Sequence, residues 1–355
     1  MASGAVGSGG PFTLRCEGWL REHTGAAAVL LTPSCTAALE LAVGLLDIGA
    51  GDEVVMPSFT SAATATAVAR RGAVPVFADI RPDTLTIDPA AVARLMTRRT
   101  RAIIPVHYAG VACDVEHLAD LARDHGAALV EDAAQGLGAT SRGRPLGTLG
   151  DAGCLSFHAT KNVTCGEGGA LLLRGEEHAA RAAILQDKGT DRRRFLSGAV
   201  DHYTWHEPGA SATMSELTAA VLWAQLQDAE RVTEDRRATW AEYHWRLAEL
   251  EEEGRLRRPI VPEGAAHNGH ISYVLLEDPG RRAQVIERLA AAGVQAAFHY
   301  VALHASPAGR RWCRTPQPLP VTEAAVDRIL RLPLWAGMES EDVARVVDAL
   351  ALALG

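Results

Sequence analysis

The chain has 355 residues, 48% of them hydrophobic and 22% charged, and a formal net charge of −8 at pH 7. That length fits one large domain plus a smaller one, and the apolar share supplies a sizeable core. The acidic balance excludes nonspecific nucleic-acid binding, which needs a basic face, and no apolar run is long enough to span a membrane.

The opening "MASGAVGSGG" (1–10) is glycine-rich, but no strand precedes it, so it reads as a flexible lead-in and not as a dinucleotide fingerprint. Seven β-prone runs follow: "AVLLTPS" (28–34), "DEVVMPS" (52–58), "AVPVFADI" (73–80), "RAIIPVH" (101–107), "AALVEDA" (127–133), "GCLSFH" (153–158) and "GALLLR" (169–174). Helical stretches such as "TAALELAVGLL" (36–46) and "DVEHLADLARDHG" (114–126) lie between them. Apolar runs separated by amphipathic helices predict an α/β domain whose mostly parallel, seven-stranded sheet is buried on both faces, over residues 1–240. Residues 214–254 then read as helical and glycine-free until their end. After them "ISYVLLE" (271–277), a helix at 281–292, "VQAAFHY" (294–300) and helices near 322–330 and 339–353 predict a smaller α+β domain, residues 241–355. The six cysteines (Cys16, Cys35, Cys113, Cys154, Cys165, Cys313) form no CxxC pair and have no His at zinc spacing. They read as free thiols of a cytoplasmic protein, with no metal site expected.

In open α/β sheets, ligands bind beyond the carboxyl ends of the strands. The runs end on Ser34, Ser58, Asp79, His107, Asp132 and His158, which are expected along one edge, with Lys161 of "SFHATKN" just beyond. A free lysine, with a pKa of about 10.4, is neutral in only about one molecule in 2,500 at pH 7. Its use as a nucleophile needs a depressed pKa or capture as an imine, and pyridoxal 5′-phosphate (PLP) supplies the second route. That cofactor needs a carboxylate on its pyridine nitrogen, a cradle for its phosphate and a surface against its ring. Asp132 in "EDAAQG" is the candidate carboxylate. At about 4 Å and an effective dielectric near 20, such a pair contributes roughly 4 kcal/mol, or about three pK units. Gln135 could reach the phenolic oxygen. Ser34, Cys35 and Thr36 open a helix and so present an anion site, to which Ser156 adds a hydroxyl. Taken singly, Asp132 and Thr36 read as helix caps, Ser156 as a strand-end hydroxyl and Lys161 as a surface charge. Their joint position at strand ends, in the right chain order, singles them out.

These residues carry a resemblance. "TPSCTAALE", "GDEVVMPSFT", "PVHYAGVACD", "VEDAAQGLGA", "GTLGDAGCLSFHATKNVTCGEGGAL" and "FHYVALHASPAG" together resemble the PLP-dependent nucleotide-sugar aminotransferases, fold type I enzymes related to aspartate aminotransferase. Within that family, "KGTDRRRF" (188–195) and residues 199–217 are similar to the branch that aminates dTDP-4-keto-6-deoxyglucose at C4 with glutamate as donor. The resemblance implies Lys161 as Schiff-base lysine and proton shuttle, Asp132 on the pyridine nitrogen and Gln135 beside the phenolate oxygen. It implies Ser156, Cys35 and Thr36 on the phosphate, beside Ser34. It places His158, Lys188, Arg192, His299 and His304 toward the sugar nucleotide, although His158 equally fits a packed strand-end histidine. Thr213 stands where many relatives have an Asn that reaches the partner subunit's phosphate, which implies a homodimer with shared sites. Ser61 stands where relatives commonly set an aromatic ring over the cofactor, with Phe59 as a substitute. About twenty residues that precede the glycine-rich segment in relatives have no counterpart in the sequence. Other readings are amination at C3 of a nucleotide-linked keto sugar, or a PLP sugar dehydratase. In the dehydratases a His replaces the lysine, so "HATKN" favours transamination. A non-catalytic regulator of this fold would add a DNA-binding segment, for which length and charge leave no room.

Overall fold

Short runs of valine, leucine and isoleucine, closed by polar residues, set the strands. The computed structural model describes Gly4 and residues 6–355, so the lead-in expected at residues 1–10 lies partly outside the described residues. Strands β1 (Ala28–Thr32), β2 (Glu53–Pro57), β3 (Val74–Ala78), β4 (Thr100–Ile103), β5 (Ala128–Asp132), β6 (Ala152–Ser156) and β7 (Gly169–Leu173) form one sheet. Its order is β1-β7-β6-β5-β4-β2-β3. β7 runs antiparallel to both neighbours and every other pair is parallel. All seven expected runs are strands; Ser34, Ser58, Asp79, His107 and His158 lie just past the strand ends, while Asp132 is the last paired residue of β5.

Helices α1 (Pro11–Thr24), α2 (Cys35–Leu45), α3 (Ala62–Ala69), α4 (Pro89–Leu95), α5 (Val115–Asp124), α6 (Ala179–Gln186) and α7 (Glu216–Leu226) pack around this sheet. Its two faces bury separate cores. Val54 and Met56 join Leu39 and Ile104 in one, while Val55 joins Ile103, Leu118 and Leu129 in the other. A strand buried on both faces has no polar alternation to show, which is why "EVVMP" is buried throughout. The first turn of α1 is held by a distant acid. Glu216 accepts the N–H groups of Gly10, Phe12 and Thr13 at 2.9–3.0 Å, satisfying donors that no intrahelical carbonyl can reach.

A second sheet of three antiparallel strands, β8 (Leu256–Arg257), β9 (Ser272–Leu276) and β10 (Ile329–Leu332), pairs in that order. It packs with α8 (Ala229–Arg246), α9 (Arg282–Ala291) and α10 (Ser340–Leu354) around Tyr243, Val274, Leu289, Leu330 and Val347. Three expectations differ here. The helical stretch 214–254 is interrupted at Gln227–Asp228 and again at Leu247. Asp228, at the first break, has a short polar side chain that favours helix ends over interiors. Residues 294–300 form no strand, and only the bridge between Ala297 and Arg331 ties them to the sheet. The helix expected near 322–330 stops at Arg328, and Ile329–Leu332 is β10. Pro333 disfavours helical backbone just before it, and the open edge of β9 accepts Ile329 as a partner. No helix among the described residues is long and apolar enough to cross a membrane.

Candidate active site

The carboxyl ends of β1, β5 and β6 converge on a cleft of about 370 Å³. At its floor Asp132 is 3% exposed. Its carboxylate accepts from Thr64 Oγ1 at 2.8 Å and from the Ala134 N–H at 3.1 Å, and it makes no ion pair among the described residues. Burial pushes its carboxyl above the ordinary range, against the pull of Thr64, Ala134 and the Lys161 charge. A buried acid held by neutral donors fits a protonated ring nitrogen. β5 is pegged directly beneath. Glu131 meets His107 Nε2 at 2.8 Å, both fully buried. It also accepts the N–H groups of Gly147, Leu149 and Gly150 at 2.9, 2.6 and 2.7 Å. His107 Nδ1 accepts the Cys113 N–H, so Nε2 carries the hydrogen that faces Glu131.

At one end of the cleft, α2 begins. Ser34 is its N-cap, accepting the Ala37 N–H at 3.1 Å, and the first-turn N–H groups of Cys35 and Thr36 remain available to an anion. A Cβ at Gly169 would crowd Cys35 N and the Ser34 carbonyl, so glycine lets β7 pass close beneath this helix start. Ser156 closes the same end. Lys161 leaves the turn after β6, where its N–H bonds the His158 carbonyl at 2.9 Å. Burial lowers its amine below the ordinary 10.5, against the opposing pull of Cys35 and Asp132. The donor set thus fits PLP: an amine, a buried acid, a helix N-terminus with flanking hydroxyls, and an amide. That amide, Gln135, accepts the Ala109 N–H at 2.7 Å and donates to Tyr300 Oη at 3.0 Å.

The far wall comes from the second sheet and its approach. His299 Nδ1 lies 2.9 Å from Tyr108 Oη, and burial pushes its ring down to about 3, leaving it neutral. His270 Nδ1 meets Asn162 Oδ1 at 2.9 Å, and burial likewise pushes its ring well below the ordinary 6.5. Tyr300 and Arg331 complete this wall. His158 sits at the rim, 3.5 Å from Glu167.

Several expected residues lie elsewhere. His304 faces away, with Nδ1 2.8 Å from Ser58 Oγ and Nε2 3.4 Å from Glu323, so both it and Ser58 brace the chain outside the cleft. Asp79 caps the helix Pro320–Arg328 through the N–H groups of Val321 and Thr322. Lys188 pairs with Asp187, and Arg192 lies 3.6 Å from the same acid. Arg192 and Thr213 line a different cavity, of about 260 Å³, together with Glu17. Lys188, Arg192 and Thr213 are therefore not brought to Lys161 within one chain. Phe59 offers no stacking face: it is 1% exposed and packs edge-on against Tyr108 and Tyr300. Ser61 does line the cleft and caps α3 through the Ala63 N–H. The loop that follows Lys188 and carries Arg192 is pinched at its neck. Gly189 has φ +77°, a Cβ there would collide with the Glu207 carbonyl, and one on Gly209 would collide with Gly189.

A family model described as the DegT/DnrJ/EryC1/StrS aminotransferase family matches residues 1–351. The chain belongs to that family. It is an α/β, fold type I, PLP-dependent aminotransferase. The uncharacterised protein MJ1066 of Methanocaldococcus jannaschii is 34% identical over 349 residues, 96% of this chain and 89% of that protein. Among solved structures, DesI in the presence of its TDP-sugar product is 34% identical with a TM-score of 0.89, covering 99% of this chain and 87% of DesI. The PLP form of Spr1654, a sugar aminotransferase from Streptococcus pneumoniae, is 26% identical with a TM-score of 0.91, over 99% of this chain and 93% of that one. The chemistry read from Lys161 and Asp132 and the membership of this aminotransferase family agree.

Proposed function

We propose that this aminotransferase acts at C4 of dTDP-4-keto-6-deoxy-D-glucose with glutamate as amine donor, giving a dTDP-4-amino-4,6-dideoxyhexose. The observation that carries the reading is the convergence of a burial-depressed lysine, a buried aspartate held only by neutral donors among the described residues and the N-terminus of α2 in one cleft. The 34% identity to DesI, crystallised with a TDP-sugar, supports the substrate class. When bound, PLP supplies an aldehyde that takes up the migrating nitrogen and a ring that withdraws electrons from the adjacent carbon. The remaining work falls to the chain. Asp132 holds a proton on the ring nitrogen, and Thr64 and Ala134 fix its carboxylate for that purpose. Cys35, Thr36, Ser34 and Ser156 hold the phosphate, and Gln135 orients the phenolic oxygen. Lys161 would anchor the cofactor and, as a free amine, take the proton from the donor's α-carbon in one half-reaction and deliver a proton to C4 of the sugar in the other. His299, neutral and oriented by Tyr108, and His158 at the rim position the sugar. The cleft lies between a large unit, residues 1–240, and a smaller one, residues 241–355. The protein works as a homodimer in which Lys188, Arg192 and Thr213 serve the partner's cleft.

Incubation with dTDP-4-keto-6-deoxyglucose and glutamate, followed by NMR of the product, tests this reading. An amine at C4 is the expected result, and the coupling constants at C4 separate the axial product from the equatorial one. Turnover of a 3-keto sugar with none at C4 would move the reaction to C3.

A further inference from the structure

The residue after Lys161 is tied down at both ends of its amide. Asn162 Nδ2 donates to the Asn268 carbonyl at 2.9 Å, and a carbonyl can only accept, so the orientation of the amide is settled. Asn162 Oδ1 is then the atom that faces His270 Nδ1 at 2.9 Å, and Nδ1 must carry the hydrogen. His270 is buried, and burial, with the charges of Lys161, Arg236, Arg331 and the neighbouring His299, holds its ring well below the ordinary 6.5. A neutral imidazole with its one hydrogen at Nδ1 has a bare lone pair at Nε2. Nε2 has no partner among the described residues, and it is not sealed from water, since the sealed and unpartnered side-chain atom among them is His244 Nδ1. It therefore opens on the cleft that His270 lines together with Lys161.

The backbone that carries this ring is fixed. Asn268 Nδ2 donates to the carbonyls of Gln135 and Leu137, both at 2.8 Å, and Asn268 Oδ1 accepts the His270 N–H at 3.1 Å. Arg236 of α8 donates to the carbonyls of Gly269 and His270 at 3.1 and 2.8 Å. A Cβ on Gly110 would fall on Asn268 Oδ1, so glycine makes room for this clasp. One hydrogen-bonded unit thus holds the turn that carries Lys161, the backbone of Gln135 and the approach to β9.

We infer that His270 is a positioning residue for Lys161: Nε2 accepts an N–H of the free Lys161 amine, and Asn162 keeps the ring in the tautomer that can do so. The amine otherwise spins about its terminal C–N bond. A fixed acceptor at its side leaves the lone pair, or the proton it has taken up, pointing into the cleft. The other tautomer would donate to that lone pair and block it, and a charged ring would repel the ammonium. Accepting from the ammonium also favours the protonated amine, because a hydrogen bond to a charged group is the stronger kind. Besides burial, Cys35, Asp132 and Arg331 act on that amine, and all three are left in place by the variants below.

This inference rests on Lys161 being the cofactor's lysine, and the experiment separates the two. Lys161 and Lys188 are the chain's two lysines, so protein labelled with carbon-13 at lysine Cε gives two NMR signals, and Lys188→Arg assigns them. With pyridoxamine 5′-phosphate bound, Lys161 is free and its shift is followed against pH. Replacing that cofactor by PLP should abolish the titration. A Lys161 signal that titrates alike in both forms would sink the lysine assignment itself. His270→Asn keeps a donor for Asn162 and loses the acceptor, whereas His270→Gln sets an amide oxygen near the place of Nε2. His270→Asn is expected to lower the pH at which Lys161 titrates and to slow amine loading by glutamate roughly ten- to a hundredfold, with His270→Gln restoring most of both. The titration decides even where glutamate is not the donor. Loss in His270→Gln with His270→Asn unaffected would make the ring a brace for Asn162 and overturn the inference. Equal loss in both variants, or an unmoved Lys161 in both, would overturn it as well.

Discussion

Lys161 and Asp132 lie 29 positions apart in sequence and meet because neighbouring parallel strands, β5 and β6, end at the same edge. Lys161→Ala is expected to abolish transamination, and borohydride reduction of the wild type should leave the cofactor's mass on the peptide containing Lys161. A variant with near-wild-type turnover, or label on another peptide, would refute the assignment. Asp132→Asn keeps the hydrogen-bonding shape but removes the charge. Losing roughly 4 kcal/mol at the transition state slows turnover on the order of a thousandfold, and a loss below tenfold would make the acid structural. These residues were legible because Asp132 ends a run that the sequence itself marks and Lys161 lies just beyond the end of another. Arg331, His270 and Tyr300 were not. The Pro320–Arg328 helix pattern masked the strand that carries Arg331, and His270 is fixed in the cleft wall by partners distant in sequence, among them Asn162, 108 positions away. His304 misled through its closeness to His299 in sequence. The short turn Leu303–Ala305 and the bond to Ser58 carry it elsewhere.

At the scale of elements, the end of β5 is aimed by what lies beneath it. Glu131 points away from the cleft and collects His107 and three backbone N–H groups. Removing that acid leaves buried donors unpaired, so Glu131→Leu should cost about 3–5 kcal/mol of stability, measured by urea unfolding. The pH dependence follows from the direction of its shift. Burial alone would raise the Glu131 carboxyl, but His107 and the N–H groups of Gly150 and Gly147 hold it below the ordinary 4.5. Its contribution is therefore full above pH 4.5 and drains as the pH falls through the lower folded value. The stability gap between wild type and Glu131→Leu should narrow on acidification below that point; a gap that stays constant would contradict the peg. The strands themselves were legible as apolar runs between turn residues. The break in 214–254 was not, because one Asp in a helical stretch is tolerated or not according to what packs around it.

For the whole molecule, the exposed apolar residues ask for a partner. Trp205 is 70% exposed, Leu196 58% and Leu14 57%, and Tyr203, Leu217 and Val221 stand equally clear of the core. We expect sedimentation to show a dimer, and complementation to show that its sites are shared. Subunits carrying Lys161→Ala mixed with subunits carrying Arg192→Ala should regain activity, because one cleft of the hybrid then holds both residues. Mixtures no more active than their components would place Arg192 outside the partner's site. The glycine neck at Gly189 and Gly209 has a consequence for how such enzymes diversify. The loop it closes, residues 190–208, leaves and rejoins the body at one point and is tied back to it by the pairs Arg193–Glu17, Arg192–Asp187 and Glu207–Arg181, so its other residues can vary within a fixed frame. Substitution at either glycine forces the crossing strands of backbone apart and should yield misfolded protein instead of altered preference. Selection for a new nucleotide sugar would then leave its record inside the loop, framed by two unchanging glycines.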